Sequence, residues 1–192
     1  MRIANKIRTT KETDIQITLN LDGRGKSKID TGIGFFDHML ILFAKHSGFD
    51  LSVKATGDLF IDNHHTVEDI GIVLGEVFKE ALGDKVGIRR YSTFFVPMDD
   101  VLARVSVDLG GRSYLSYDAG FTRERIGDFE TETLRDFMQS FADNADMNLH
   151  IKVLEGDNNH HKAEGIFKAF GRALSEACSV VSDQLPTTKG VL

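Results

Sequence analysis

Two stretches of this chain carry the same pattern: DLSVKATGDLFIDNHHTVEDIGIVLGEVFKEAL at residues 50–82 and NLHIKVLEGDNNHHKAEGIFKAFGRAL at residues 148–174. Each combines a β-rich start, an HHxxE motif and an apolar helical end. The first histidines of the two motifs, His64 and His160, lie 96 positions apart in a chain of 192 residues. Self-similarity at half the chain length indicates a duplicated module.

The segments around each motif repeat one order of elements. Hydrophobic periodicity and the turn signals DGRG and GGRS predict the same elements in each half. These are β-rich stretches, then an amphipathic helix, a further strand and the HHxxE helix. The stretches before the repeated segments are strands at residues 2–9, 14–21 and 26–30 with a helix at 35–48, then strands at 91–97, 101–109 and 113–118 with a helix at 129–146.

This order is β-β-β-α-β-α, twice. A sheet with one apolar face must bury that face against helices. We therefore predict an α/β protein of the α+β two-layer type, in which the helices of the two halves pack between two mainly antiparallel sheets. The first half-repeat would span residues 1–88 and the second residues 89–192, including a C-terminal substrate-binding tail, and the two would form one functional unit.

The HHxxE motifs are expected in the first turns of their helices, because Asn63 and Asn159 precede them and asparagine is a favoured N-cap. A helix turns about 100° per residue, so His64 and Glu68 share a face while His65 points to the side. Two copies could then bind two metals, each receiving a His–Glu pair from one motif and the remaining histidine from the other. Imidazole and carboxylate without thiolate suit Mn, Fe, Co or Zn alike.

A histidine at a helix N-terminus can also simply cap the helix or form a hydrogen bond. Here, however, two histidine pairs in register take four of the seven histidines of the chain, which favours metal binding over packing. His38 aligns in the repeat with Asp136, and both are possible ligands. His46 could face solvent or substrate. For His150, on a predicted strand, we favour a structural role, and Cys178 is expected to be a buried small hydrophobe.

Composition narrows the class of protein further. With 41% hydrophobic and 27% charged residues, the chain has an ordinary globular composition. A net charge of −6 without any basic block argues against nucleic-acid binding. The N-terminal MRIANKIRTT has no apolar signal region, and no apolar run approaches the roughly 20 residues that span a bilayer. We expect a soluble, cytoplasmic protein that does not bind membranes.

With these features in view, the sequence closely resembles the imidazoleglycerol-phosphate dehydratase family over essentially its whole length, in the monofunctional form. The segments that carry the resemblance are RTTKET at 8–13, DTGIGFFDHML at 30–40, NHHTVEDIGI at 63–72, MDDVLARVSVDLGGRSYL at 98–115, NNHHKAEGIFKAF at 158–170 and the terminal PTTKGVL.

The resemblance implies a hydro-lyase of histidine biosynthesis that converts D-erythro-1-(imidazol-4-yl)glycerol 3-phosphate to imidazole-acetol phosphate. The proton to be removed lies on a carbon that no carbonyl activates, so a base alone faces a high barrier. The resemblance implies two Mn²⁺ ions per active site, which favour the imidazolate form of the substrate. It further implies that hydroxide is lost to give a neutral diazafulvene-like intermediate, and that a carboxylate then removes the proton. It also implies a homo-oligomer, a 24-subunit shell with sites between subunits.

Particular residues take roles by the same resemblance. One manganese would be bound by His38, His65, His160 and Glu164, and the other by His64, Glu68, His161 and position 136. Many members have histidine where this chain has Asp136. Glu12 matches the proposed general base, with His65 and Glu164 also counted as catalytic. The remaining expected substrate contacts, mainly to the phosphate, are His46, Arg90, Arg112, Lys168, Thr187, Thr188 and Lys189.

Two other classes of function remain open at this point. A metal storage or sensing module would also use paired HHxxE motifs, but it leaves Glu12 and the cationic residues unexplained. A zinc hydrolase usually has an HExxH helix, and no such run occurs in this chain.

Overall fold

The computed structural model describes residues 1–192. Its first six elements are β1 (Ile3–Thr9), β2 (Thr13–Asn20), β3 (Ser27–Asp30), α1 (Gly34–Ser47), β4 (Asp50–Gly57) and α2 (His64–Leu82). The remaining eight are β5 (Tyr91–Met98), β6 (Val101–Asp108), β7 (Tyr114–Asp118), β8 (Arg125–Ile126), β9 (Phe129–Glu130), α3 (Glu132–Asn144), β10 (Asn148–Glu155) and α4 (Asn159–Ala177).

The strands form two four-stranded sheets of the same design. Their orders are β1-β2-β4-β3 and β5-β6-β10-β7, and β8 pairs with β9 in a small separate hairpin. Within each large sheet two pairings are antiparallel, and the pairing of the third strand, β3 with β4 or β7 with β10, is parallel. The prediction of two mainly antiparallel sheets is therefore confirmed.

Alternating side chains give each sheet one apolar face, which the helices cover. In β2, for example, Ile15, Ile17 and Leu19 are fully buried. Helix α2 lies on β1 and β2, and α4 lies on β5 and β6. The helices of the two halves also pack against each other, α1 with α4 and α2 with α3, so the four helices form the middle of the molecule.

The helices of different halves approach closely because glycines lie at the contacts. A Cβ added to Gly71 of α2 would be 2.7 Å from the carbonyl oxygen of Phe137 on α3, and one added to Gly171 of α4 would be 2.8 Å from the carbonyl oxygen of Phe43 on α1. Both distances are below van der Waals contact, so the observed helix spacing requires the absence of a side chain at these two positions.

Local details differ from the expectations in two ways. The helix predicted from residue 129 begins at Glu132, because the β8–β9 hairpin occupies the preceding residues. The prediction that Asn159 caps the second HHxxE helix was wrong: Asn158 is the cap, and its side chain accepts hydrogen bonds from the amides of His160 and His161. Asn63 occupies the cap position of α2, but its side chain accepts from the amide of Glu130 instead.

No helix combines the length and the apolar character that crossing a membrane would require. The division into half-repeats at residues 88 and 89 stays a prediction.

Candidate metal centre

Three of the expected ligands meet where α1 and α4 begin. The Nε2 atom of His38 lies 2.9 Å from Oε1 of Glu164, and Nε2 of His160 lies 3.1 Å from the same oxygen. One ligand atom from each residue lies within 4.8 Å of the others, an arrangement that could hold a metal ion. We call His38, His160 and Glu164 the first cluster.

The carboxylate of Glu164 is the centre of this cluster. Its side chain is only 10% exposed, and its other oxygen accepts from Nζ of Lys168 at 2.8 Å. Burial by itself raises the pKa of Glu164, but hydrogen bonds from Lys168, His38 and His160 outweigh it and lower the pKa to about 2. The group is therefore ionised at neutral pH, as a carboxylate that binds a metal must be.

A second group of expected ligands meets where α2 and α3 begin. Nε2 of His64 lies 3.8 Å from Oε2 of Glu68, one turn along the same helix, and Nδ1 of His64 lies 3.5 Å from Oδ2 of Asp136 on α3. These separations are longer than those of the first cluster. We call His64, Glu68 and Asp136 the second cluster, and its donor set again joins imidazole to carboxylate.

The remaining two motif histidines, His65 and His161, are members of neither cluster and pair with other carboxylates. Nδ1 of His65 lies 2.9 Å from Asp58, and this hydrogen bond raises the pKa of His65. Nδ1 of His161 lies 2.7 Å from Asp100. Hydrogen bonding at Nδ1 leaves Nε2 of each ring free to bind another group, the arrangement that carboxylates impose on metal-binding histidines.

The acidic partners of these histidines come from turns and loops that connect strands and helices. Asp100 also accepts the backbone amides of Asp157 and Asn158, and these bonds together with the one from His161 hold its pKa far below the usual range. Glu12, in the β1–β2 turn, has its Oε1 3.9 Å from Nε2 of His65. Asp99, in the β5–β6 turn, lies 3.5 Å from Nε2 of His161.

Most of the expected phosphate contacts line one surface cleft. Arg90 is fixed there by two hydrogen bonds to Asp108 and one to the carbonyl of Pro186. The bonds to Asp108 raise the pKa of Arg90, so this cation is permanent. The expected contacts that line the cleft are Arg90, Arg112, Thr187, Thr188 and Lys189.

The cleft and His161 of the second HHxxE motif lie at opposite ends of strand β5 within one chain. Arg90 precedes Tyr91, the first residue of β5, whereas Asp99 follows its last residue, Met98. A strand of eight residues extends roughly 25 Å. Lys168 and His46 are outside the cleft: Lys168 contacts Glu164, and burial together with the charges of Lys168 and Arg172 lowers the pKa of His46.

Two residues lie apart from all of these groups. His150 is exposed on β10, where its ring lies 5.6 Å from that of Tyr114, and it lines a shallow cleft with Thr93 and Ser106 on the outer side of the second sheet. Cys178 is buried, and burial raises the pKa of its thiol to about 12. The burial expected for Cys178 is confirmed, whereas the structural role favoured for His150 stays a prediction.

Sequence reasoning did not single out Asp58, Asp99 or Asp100. The two aspartates of the β5–β6 turn occur in the segment MDDVLARV, but nothing in their spacing relates them to His161, which lies 61 positions from Asp100. Asp58 precedes His65 by seven positions across an irregular loop, so no helical or strand periodicity connects them.

Together, fold and site define an α+β protein with a His/Glu cluster that could hold a metal ion and a separate cationic cleft suited to a small anion. A family model described as imidazoleglycerol-phosphate dehydratase matches residues 31–174. Curated imidazoleglycerol-phosphate dehydratases from Lactiplantibacillus plantarum and Streptococcus sanguinis are 58% and 55% identical to this chain, each aligned over 100% of both chains.

Solved structures agree with the sequence comparison. The crystal structure of imidazoleglycerol-phosphate dehydratase from Staphylococcus aureus has a TM-score of 0.85 and 44% identity, covering 93% of this chain and 99% of its own. The crystal structure of the dehydratase from Pyrococcus furiosus also has a TM-score of 0.85, with 40% identity over 97% of this chain and 100% of its own. The chain belongs to the imidazoleglycerol-phosphate dehydratase family.

Membership defines the class of reaction. The family consists of hydro-lyases of histidine biosynthesis that act on a phosphorylated imidazole substrate, so the chain is an enzyme of this kind. The resemblance inferred from the motifs is confirmed, as is the fold class.

Proposed function

We propose that this chain dehydrates D-erythro-1-(imidazol-4-yl)glycerol 3-phosphate to imidazole-acetol phosphate with the help of two divalent metal ions. The observation that carries the proposal is the first cluster, in which two imidazoles and one ionised carboxylate converge within 4.8 Å. The second cluster, built around the other HHxxE motif, supports a second ion. Their imidazole and carboxylate donors fit Mn²⁺, which we propose as the metal.

The first and second clusters would hold the two ions, which when bound would supply the Lewis acidity that favours the imidazolate form of the substrate. Loss of hydroxide from the carbon next to the ring would then leave a neutral, diazafulvene-like form of the substrate, and the C–H bond on the following carbon would become acidic. We propose that Glu12 removes this proton. Its carboxylate is 55% exposed in a turn beside His65, so it can accept a proton from a bound substrate without first breaking an ion pair to a Lys or Arg.

The cationic cleft binds the phosphate in this proposal. Arg90 is held in one orientation by Asp108, so its guanidinium presents a fixed charge to the ligand. Arg112 and Lys189 add charge, while Thr187 and Thr188 offer hydroxyl donors. Lys168 and His46 belong beside the first cluster instead, where they could contact another part of the substrate.

The site requires more than one copy of the chain in our proposal. Each cluster has three of its four expected ligands, and the missing ones, His65 and His161, pair with Asp58 and Asp100 instead. The phosphate cleft is also separated from His161 and Asp99 by roughly the 25 Å length of β5. A homo-oligomer, which we propose to be the 24-subunit shell, would bring His65, His161 and the cleft of neighbouring subunits to each cluster. A cytoplasmic location, without nucleic-acid or membrane partners, also stays a prediction.

Turnover of imidazoleglycerol phosphate, measured as formation of imidazole-acetol phosphate with Mn²⁺ and after chelation, tests this function. Mn²⁺-dependent formation of the product is expected. The variant Arg112→Ala should raise KM, and Arg24→Ala, which removes an exposed arginine far from the cleft in sequence, is the matched control. Tight Mn²⁺ binding without turnover would instead favour a storage or sensing module, and Zn²⁺-dependent ester hydrolysis would favour a hydrolase.

A further inference from the structure

One segment of the chain contacts the beginnings of three helices and continues into the fourth. This 122–131 segment contains the β8–β9 hairpin and leads directly into α3. Its Asp128 binds the first turn of α1, its Glu130 amide donates to Asn63 at the start of α2, and its Thr122 amide donates to Asn159 at the start of α4. No residue of the segment belongs to either cluster.

The contact with α1 replaces a missing local cap. Ile33 occupies the N-cap position of α1 and has no side chain that can accept a hydrogen bond. The carboxylate of Asp128 accepts the amide of Gly34 at 2.6 Å and that of Phe35 at 3.1 Å. These amides are otherwise without partners in the helix, and a negative charge at this end is favourable. The start of α1 is therefore held by a residue 94 positions away.

A packing contact accompanies the hydrogen bonds. Phe129, the neighbour of Asp128, is fully buried, and its ring centroid lies 5.7 Å from that of Phe35. The ring of Phe35 in turn lies 5.1 Å from His160 and 6.5 Å from His38. The hairpin thus touches the layer of rings directly behind two members of the first cluster.

We propose that Asp128 is a positioning residue that fixes His38 relative to His160 and Glu164, and so makes the first cluster ready for its metal. This inference rests on the proposed function. Asp128 does not touch any residue of the cluster. It acts through the first turn of α1, because His38 follows Gly34 by four positions on the same helix. A ligand set must be held to about half an ångström, so fraying of this turn would weaken metal binding.

The test compares two carboxylates that each accept two backbone amides, Asp128 from the start of α1 and Asp50 from the segment between β2 and β3. Asp128→Ala removes the acceptor of Gly34 and Phe35. The matched control Asp50→Ala removes a carboxylate that also accepts two backbone amides, those of Arg24 and Lys26 at 2.8 and 2.9 Å, near the end of α1. Asp128→Asn keeps one oxygen acceptor and should restore part of the loss.

Mn²⁺ alone is titrated into the chelated full-length proteins, with binding followed by calorimetry and unfolding followed by thermal melts. We expect Asp128→Ala to weaken the tighter Mn²⁺ site about tenfold, Asp128→Asn to weaken it less, and Asp50→Ala to leave it unchanged. Hydrogen exchange should also rise at residues 34–38 in Asp128→Ala and stay unchanged at residues 44–48.

Unchanged Mn²⁺ affinity in Asp128→Ala, with faster exchange at residues 34–38, would make the cap purely structural and overturn the proposal. Equal losses of affinity in Asp128→Ala and Asp50→Ala would overturn it too, because general destabilisation would then be the cause. Failure of the unaltered protein to bind Mn²⁺ is a different result. It would contradict the proposed function, in which the first cluster binds a metal, and the role of Asp128 would fail together with it.

Discussion

The contact between α2 and α3 should be unusually sensitive to a single methyl group. Gly71 faces α3, and a Cβ at this position would lie 2.7 Å from the carbonyl oxygen of Phe137 and 3.0 Å from Cβ of Ser140. The first contact is with backbone, which cannot rotate away as a side chain can. Gly71→Ala therefore requires the two helices to separate locally by about 0.7 Å to restore ordinary contact.

Two opposing effects determine the change in the free energy of unfolding. Replacing glycine by alanine inside a helix stabilises it by about 1 kcal/mol. Overpacking a well-packed core costs about 1–3 kcal/mol, and a clash with backbone belongs to the upper part of this range. We therefore expect Gly71→Ala to destabilise the protein by about 1–2 kcal/mol.

The same shift should reach the second cluster. Asp136 precedes Phe137 on α3, and its Oδ2 is already 3.5 Å from Nδ1 of His64 on α2. Moving α3 away from α2 lengthens this separation, so a metal ion held between the two helices would lose one well-placed ligand. We expect the affinity of the second Mn²⁺ to fall about tenfold, with that of the first cluster largely unchanged.

Gly165→Ala on α4 is the matched control. An added Cβ there would meet only side-chain atoms, the nearest being Cβ of Ala103 at 3.3 Å, so this variant should be as stable as the parent or slightly more stable. Urea unfolding of the chelated proteins and Mn²⁺ titration measure both effects. If Gly71→Ala proved as stable as Gly165→Ala, the close packing of α2 and α3 would not require a glycine at position 71.

Three further outcomes are expected. Glu12→Gln should lower kcat about 10²–10⁴-fold while Mn²⁺ content stays the same, and near-normal turnover would remove Glu12 as the base. Chelation with EDTA should reduce the particle mass seen by light scattering, and Mn²⁺ should restore it, because metals shared between subunits stabilise the assembly; an unchanged mass after complete metal removal would contradict shared sites. Asp136→Ala should lower occupancy toward one Mn²⁺ per subunit, whereas Asp136→His and His150→Ala should each retain two. Loss of metal in His150→Ala alone would make His150 the ligand in place of Asp136.

The elements that sequence reasoning predicted well are those with regular periodicity. The strands and helices of both halves follow from alternation and helical spacing, and the HHxxE motifs begin their helices as expected. The hairpin at residues 125–130 and the cap at Asn158 were missed. The hairpin is held by a contact with a distant part of the chain, Asp128 with Gly34, and such a contact leaves no local pattern. The cap is local but lies one residue earlier than predicted, in a segment whose amides at residues 157 and 158 donate to Asp100.

The sequence by itself determined the family, the fold class and the chemical types of the candidate ligands, because motifs, periodicity and composition are properties of order along the chain. Only the tertiary structure decided which of those side chains meet. It brought His38 to Glu164 across 126 positions and Asp136 to His64, and it turned His65 and His161 toward Asp58 and Asp100 instead. The pairings of His38 with Glu164 and of Asp136 with His64 depend on how closely α1 packs on α4 and α2 on α3. Glycines such as Gly71 and Gly171 permit this spacing, which only the packed helices reveal.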